Sequence, residues 1–236
     1  MQLEILRETV KRVLENAQRL VDDAKLLEGM DRFPSAYALC ILAQEEFGKA
    51  FLLHLAAEQR VSWTPGLQRA LRNHRCKQLV ALVMEYIQRR DFIERLQEPD
   101  RFRGASALPA HVMDAIHIIV HEHIREVARA DWVDDGDRKV DPIANRIARG
   151  LLDRQKQKGL YVHVGWNGTV RTAPQMVTAQ RCQDEIARTE RVGSVFWICD
   201  GHVQAAASFD LPKILALFEV LSGRMAVEEF NDKWWQ

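Results

Sequence analysis

The chain carries no excess charge of either sign, with 33 Lys and Arg against 33 Asp and Glu. A balanced total gives no argument for tight, sequence-independent nucleic-acid binding, so any RNA contact has to come from a local patch. Long apolar runs are also missing. The longest nearly apolar stretch, Ala36 to Ala43, is far below the about 20 residues that a membrane-spanning helix needs. The opening Met1-Gln2-Leu3-Glu4 has neither the basic start nor the apolar run of a secretion signal. A cytoplasmic protein without membrane contact is therefore expected. Cys40, Cys76, Cys182 and Cys199 lie far apart without a Cys-x-x-Cys pair, which argues against a disulfide frame or zinc site and reads as reduced thiols. There is no Gly-x-Ser-x-Gly elbow, cysteine-protease context, phosphate-binding loop, internal repeat or low-complexity segment. No cofactor is expected, and nucleotide hydrolysis is not supported.

Apolar periodicity is what the chain has in abundance. From Leu3 to Leu27 apolar residues recur at three- and four-residue steps, predicting a long amphipathic helix ended by Gly29. After Pro34, a good first helical residue, Ala36 to Ala57 is apolar almost all round, so this second helix should be central. Thr64-Pro65 has the form of an N-cap and first turn, opening a third helix that runs to about Leu96. A loop from Pro99 to Pro109 and a fourth helix from about Ala110 to Ala130 follow. Four long helices with short connections point to an antiparallel bundle.

Beyond an acidic break at Asp131 to Asp137, a fifth helix is expected over Pro142 to Lys158. Alternation at Leu160 to Val164, followed by Asn167-Gly168, predicts a β-hairpin. Helices over Thr178 to about Ile198 and Leu211 to Phe230 close the chain. The expected organisation is a helical bundle over 1–135 and a small C-terminal helical subdomain over 136–236, with the hairpin near 160–171, packed on the bundle. The fold class is mostly α.

Gln44-Glu45-Glu46-Phe47-Gly48-Lys49 interrupts the apolar helix. Its flanking turns should be buried, so at least one of these charges needs a partner. Glu45 and Lys49 are four apart and Glu46 and Lys49 three apart, so either carboxylate can pair with the lysine. Gly48 costs about 1 kcal/mol against alanine in a helix interior, which implies close approach by another group. On spacing alone a structural ion pair at a helix crossing is the favoured reading over a functional site.

The run Ala36-Tyr-Ala-Leu-Cys-Ile-Leu-Ala-Gln-Glu-Glu-Phe-Gly-Lys49, preceded by Leu26-Leu-Glu-Gly29, resembles the signature of AbiV-type proteins, the abortive-infection branch of the HEPN superfamily. His74-Arg-Cys-Lys77 and Lys158-Gly-Leu-Tyr-Val162 with Pro174 resemble the elements that follow in that family, and the likeness spans about Leu20 to Ala179. His163 stands where an aspartate is expected. The resemblance implies a HEPN-like antiparallel bundle, a homodimer, and an effector that stops phage growth by acting on RNA or the translation machinery once a phage-encoded activator triggers it. Many HEPN proteins are metal-independent endoribonucleases with an Arg-x4–6-His motif, a spacing met by Arg69-Ala-Leu-Arg-Asn-His74, although Ala70 replaces the polar residue common after that arginine. The implied catalytic set is Arg69, His74, Lys77, Glu46 and Lys49: His74 for proton transfer, and Arg69, Arg72 or Lys77 for charge on the phosphorane. A non-catalytic binding protein of the same fold, recognising a phage or host protein, stays open beside it.

His117 and His121 share a helix face in metal-binding geometry, with His111 and His123 nearby, but no third ligand is evident, so ordinary surface or core histidines are expected and no metal. Asp131, Asp134, Asp135 and Asp137 lack calcium-loop spacing. Trp197 is expected in the core, and the pair Trp234-Trp235 at a dimer or partner contact.

Overall fold

The computed structural model describes residues 3–87, 115–116, 119, 142–164, 166–171, 177–199, 202–205, 212–221 and 223–234. The protein is mostly helical. Helix α1 (Leu3–Gly29) buries one stripe, including Leu6, Val10, Leu14, Ala17 and Val21, and leaves its other face to water. A tight turn with Asp31 at φ 58° leads into α2 (Phe33–Ala57), which is apolar all round and buried along nearly its whole length. Such a helix needs neighbours on every side. It has them in α1, in α4 (His74–Ile87), in α6 (Leu151–Leu160) and in α7 (Ala179–Gly193). One hydrophobic cluster joins Leu6 on α1 to Phe230 near the C-terminus and takes in Ala115, Ile116 and Ile119. No helix among the described residues is long and apolar enough to cross a membrane.

The third expected helix is two helices. Thr64 caps α3 (Pro65–Arg72) as its sequence suggested, its Oγ1 accepting from Leu67 N at 3.3 Å. Asn73 then leaves helical geometry (φ −80°, ψ 116°), and its Oδ1 accepts from Cys76 N at 3.1 Å, starting α4. The apolar periodicity continues through this joint, so a second asparagine cap was legible only as a local side-chain preference. In the same way Gly150, at φ 64°, divides the expected fifth helix into α5 (Pro142–Ala148) and α6. The expected fourth helix lies almost wholly outside the described residues, as do the histidines from 111 to 123 and the acidic stretch 131–137.

In the C-terminal part, β1 (His163–Val164) and β2 (Val170–Arg171) pair antiparallel through two residues each, too little for a sheet. Helix α7 stops at Gly193, five residues before the expected end, because β3 (Phe196–Cys199) pairs antiparallel with β4 (His202–Ala205). The run Phe-Trp-Ile-Cys followed by Asp200-Gly201 is a hairpin signal that helical periodicity alone overlooks. Phe196 packs on Phe51 at 6.4 Å between ring centroids, and Phe51 also meets Phe218 of α8 (Pro212–Leu221) at 5.6 Å. The last expected helix is likewise two, α8 and α9 (Val227–Trp234). The side chains of Trp197 and Trp234, and Trp235 itself, lie outside the described residues.

Gly48 sets the closest helix crossing. A Cβ built there would overlap the Lys77 carbonyl oxygen and lie 3.2 Å from its carbon, so α2 and α4 meet backbone to backbone. The close approach expected from a costly mid-helix glycine is thus made by α4. Gly48→Ala is expected to lower stability by about 1–3 kcal/mol, the usual cost of overpacking. Gly29→Ala, whose Cβ meets nothing within 4 Å, should stay within about 0.5 kcal/mol of wild type in urea unfolding. Equal effects of the two would mean that Gly48 does not set the crossing.

Candidate functional site

Directly beside that crossing, one turn before Gly48, the carboxylate of Glu45 is turned into the bundle and is 2% exposed. An ionised carboxylate in this position needs donors on both oxygens. Oε1 accepts from Gln78 Nε2 at 2.8 Å and from Lys156 Nζ at 2.9 Å. Oε2 is 2.5 Å from His74 Nδ1 and 3.3 Å from Lys77 Nζ. Three donors come from α4 and the fourth from α6, so one side chain ties three helices together. Lys156 is also 2.7 Å from Asp153 one turn earlier, and both lysine side chains are 9% exposed.

Burial pushes the Glu45 carboxyl up, but hydrogen bonds from Lys156 and His74 and the charges of Lys156 and Lys77 outweigh it and hold it below its ordinary range. For Lys156 burial acts downward, and its bonds to Asp153 and Glu45 with their two charges prevail, holding it above its ordinary value. Both groups are therefore charged at neutral pH. Two carboxylates and two ammonium groups balance locally.

His74 differs from its partners in being exposed, with 55% of its side chain accessible. An ionised carboxylate only accepts, so the proton of the 2.5 Å contact is assigned to Nδ1. Nε2 has no partner among the described residues and is left as the lone-pair end. A buried acid orienting an exposed imidazole is an arrangement suited to proton transfer.

The remaining expected residues do not all join this cluster. Lys49 pairs with Glu46 at 3.4 Å and not with Glu45, and Glu46 also accepts from Asn16 of α1 at 3.4 Å, so this pair serves the α1–α2 contact. The grouping of Glu46 and Lys49 with His74 is corrected: Glu45, the adjacent acid, meets the histidine. A helix turns each residue about 100°, and that rotation separates the two glutamates. Arg69 is half-buried on α3, forms no hydrogen bond or ion pair among the described residues, and its Nε is buried without a partner. Arg72 is exposed. The Asn73 break stands between Arg69 and His74, so the spacing of the motif does not become a contact.

Gln78, Asp153 and Lys156 were not anticipated. Lys156 had a signal, since it follows buried Leu152 by four residues on the inward face of a short helix. One ligand atom each from Glu45, His74 and Asp153 lie within 4.8 Å of one another, a spacing that fits a metal ion. The position between the two acids is already taken by the Lys156 ammonium, 2.9 Å and 2.7 Å from them, which supplies the positive charge itself.

Stability should report this cluster. Because folded Glu45 titrates below its ordinary value of 4.5, its contribution is present at neutral pH and lost as pH falls from that value through the folded one. Glu45→Gln is expected to cost about 3–5 kcal/mol at neutral pH, since it leaves two buried lysines facing a neutral amide. Its unfolding free energy should also fall less steeply on acidification than that of wild type. Parallel acid limbs in chemical denaturation would show that Glu45 carries no such contribution.

Arrangement and sequence lead to one family. A family model described as AbiV, in the HEPN group, matches residues 5–194, a span that runs from within the first turn of α1 to the end of α7 and holds every member of the Glu45 cluster. No curated protein and no solved structure matches the chain. The match covers well over half of the sequence and falls on the helices that build the site, so the chain belongs to the AbiV family of HEPN proteins, a membership that points to a role in abortive infection.

Proposed function

We propose that this protein is an abortive-infection effector that acts on RNA, with His74 as its working group and Glu45 as the residue that positions it. The single observation carrying the reading is the pair itself: an exposed imidazole whose Nδ1 is held at 2.5 Å by a carboxylate that is 2% exposed. In the reaction that fits, Nε2 accepts the proton of a ribose 2′-hydroxyl while its oxygen attacks the adjacent phosphorus. The bond from phosphorus to the 5′-oxygen breaks, a proton goes to that leaving oxygen, and a cyclic phosphate remains. No metal takes part in this scheme. Arg72, exposed at the last position of α3, and Arg69 are the cations available for the phosphorane charge. A homodimer would bring two such faces to one cleft and raise the local positive charge above the neutral total. The proposed trigger is a phage-encoded protein, and the proposed site of action is the cytoplasm.

A second reading rests on a different observation. Lys77 and Lys156 are bound to Glu45 and nearly inaccessible, so they are spent on the fold rather than presented to phosphate. In that reading the cluster is structural and the protein is a non-catalytic partner of a phage or host protein.

His74→Ala separates the two. Glu45 keeps Gln78, Lys77 and Lys156, so the melting temperature should stay within a few degrees of wild type, while growth arrest, phage protection and RNA cleavage in chelator are lost. A stable His74→Ala protein that still protects cells would remove the imidazole from the mechanism and favour the binding reading. The proposed dimer has its own check: light scattering at tens of micromolar should give twice the chain mass, and monomer alone would count against a shared cleft.

A further inference from the structure

We propose that the end of α6 and the β1–β2 hairpin form a stacking surface for single-stranded RNA, with Trp166 and Tyr161 receiving bases and Lys158 and Arg154 meeting phosphates. This rests on the proposed action on RNA and names where the strand is held. Four large apolar side chains, Leu160, Tyr161, Val162 and Trp166, are exposed within seven residues. Trp166 is fully open to solvent and Tyr161 is 69% exposed. Single exposed apolar residues are ordinary, but a run of them that includes two aromatics marks an interaction surface. The backbone that carries them is well anchored. A Cβ at Gly159 would overlap the Pro34 carbonyl oxygen, so the last turn of α6 is seated on the start of α2. Asn167 Oδ1 accepts from Thr169 N at 3.2 Å and from Thr169 Oγ1 at 2.7 Å, and Gly168 has φ 75°, which closes the turn directly after Trp166.

Charge selects a polyanion as the occupant. Between Asp153 and Asp184 the 30 residues 154–183 contain five Lys and Arg and no Asp or Glu, in a chain that is neutral overall. Lys156 is bound to Glu45 and Asp153, and Arg181 to Tyr37 and Gln155. Arg154 and Lys158 are exposed and four residues apart, hence on one outward face of α6, and neither pairs with an acid among the described residues. Arg154 is steadied by its Nη2, which donates to Arg149 O at 2.9 Å. An apolar protein partner would need only the four exposed side chains, whereas an acid-free flank beside them adds the charge that tracks a phosphate backbone. Cations set beside aromatics on which bases stack are how single strands are bound without sequence preference. A duplex keeps its bases stacked inside and offers mainly its backbone. Helix α6 also links this surface to the Glu45 cluster. Asp153 has a carboxylate oxygen within 4.8 Å of a His74 ring nitrogen, and Leu160 follows it on α6 by about 10 Å along the axis.

Fluorescence anisotropy of the full chain with a short labelled 2′-O-methyl RNA tests the inference, because that strand keeps its bases and phosphates but lacks the hydroxyl that would attack. Wild type is expected to bind the single strand more tightly than the same strand annealed to its complement. Trp166→Ala and Tyr161→Ala should each weaken single-strand binding about fivefold or more and leave the melting temperature unchanged, since both rings are exposed. Trp166→Phe, which keeps a ring, should retain most of the affinity. Lys158→Ala and Arg154→Ala should each reduce the slope of log affinity against log salt by about 0.7. No binding by wild type, equal affinity for duplex and single strand, or single-strand affinity unchanged in both aromatic variants overturns the surface. Intact RNA binding by Trp166→Ala with phage protection lost would make the occupant a protein, and the RNA proposal falls. The His74 reading is judged apart from these affinities: a His74→Ala protein that still protects cells removes that reading and leaves them standing. Aromatic variants that bind and cleave RNA like wild type sink the surface and leave His74 in place.

Discussion

A carboxylate kept charged inside a helical bundle is the constraint on which the rest of this structure depends. Taking Glu45 out of water has a large desolvation cost, and four donors from α4 and α6 offset it only if both helices lie at fixed positions against α2. Charge therefore registers helices that apolar packing alone would let slide. Gly48, three residues on, makes the same demand in steric form by admitting the Lys77 backbone. Polar and steric fit act at one crossing, and that is why the polar insertion is tolerated in an otherwise apolar helix.

The break at Asn73 follows from the same geometry. Continued as one helix, α3 and α4 would carry His74 mid-helix among buried neighbours. With Asn73 as a cap, His74 becomes the first residue of α4, with its Nδ1 on Glu45 and the rest of the ring in solvent. A histidine that is anchored at one nitrogen and open at the other is held in one orientation without being removed from solvent. The motif spacing of Arg69 and His74 thus carries meaning through the helix junction it spans rather than through contact between its ends.

Charge neutrality of the whole chain conceals strong local order. The Glu45 cluster is internally balanced by its two lysines, and so presents little field to the outside. On α6, Gln155 is a neutral acceptor for Arg146 and Arg181.

Sequence by itself determined the helical class, α1, the central apolar α2, the Thr64 cap, and the presence of a charged insertion with a glycine that implied close approach. These rest on periodicity and local side-chain preferences, which act within a few residues and so can be read along the chain. The family, too, was legible from three short elements in order. Tertiary structure alone decided which of two adjacent glutamates turns inward, that Lys49 serves Glu46, and that Lys156 and Asp153, more than 100 residues away in sequence, complete the site. Neighbouring residues on a helix point about 100° apart, and only the placement of α1, α4 and α6 around α2 determines which of those directions is core. Splits at Asn73 and Gly150 and the β3–β4 pair escaped for a related reason: apolar periodicity reports which residues are buried, and burial continues across a turn that the backbone makes between them.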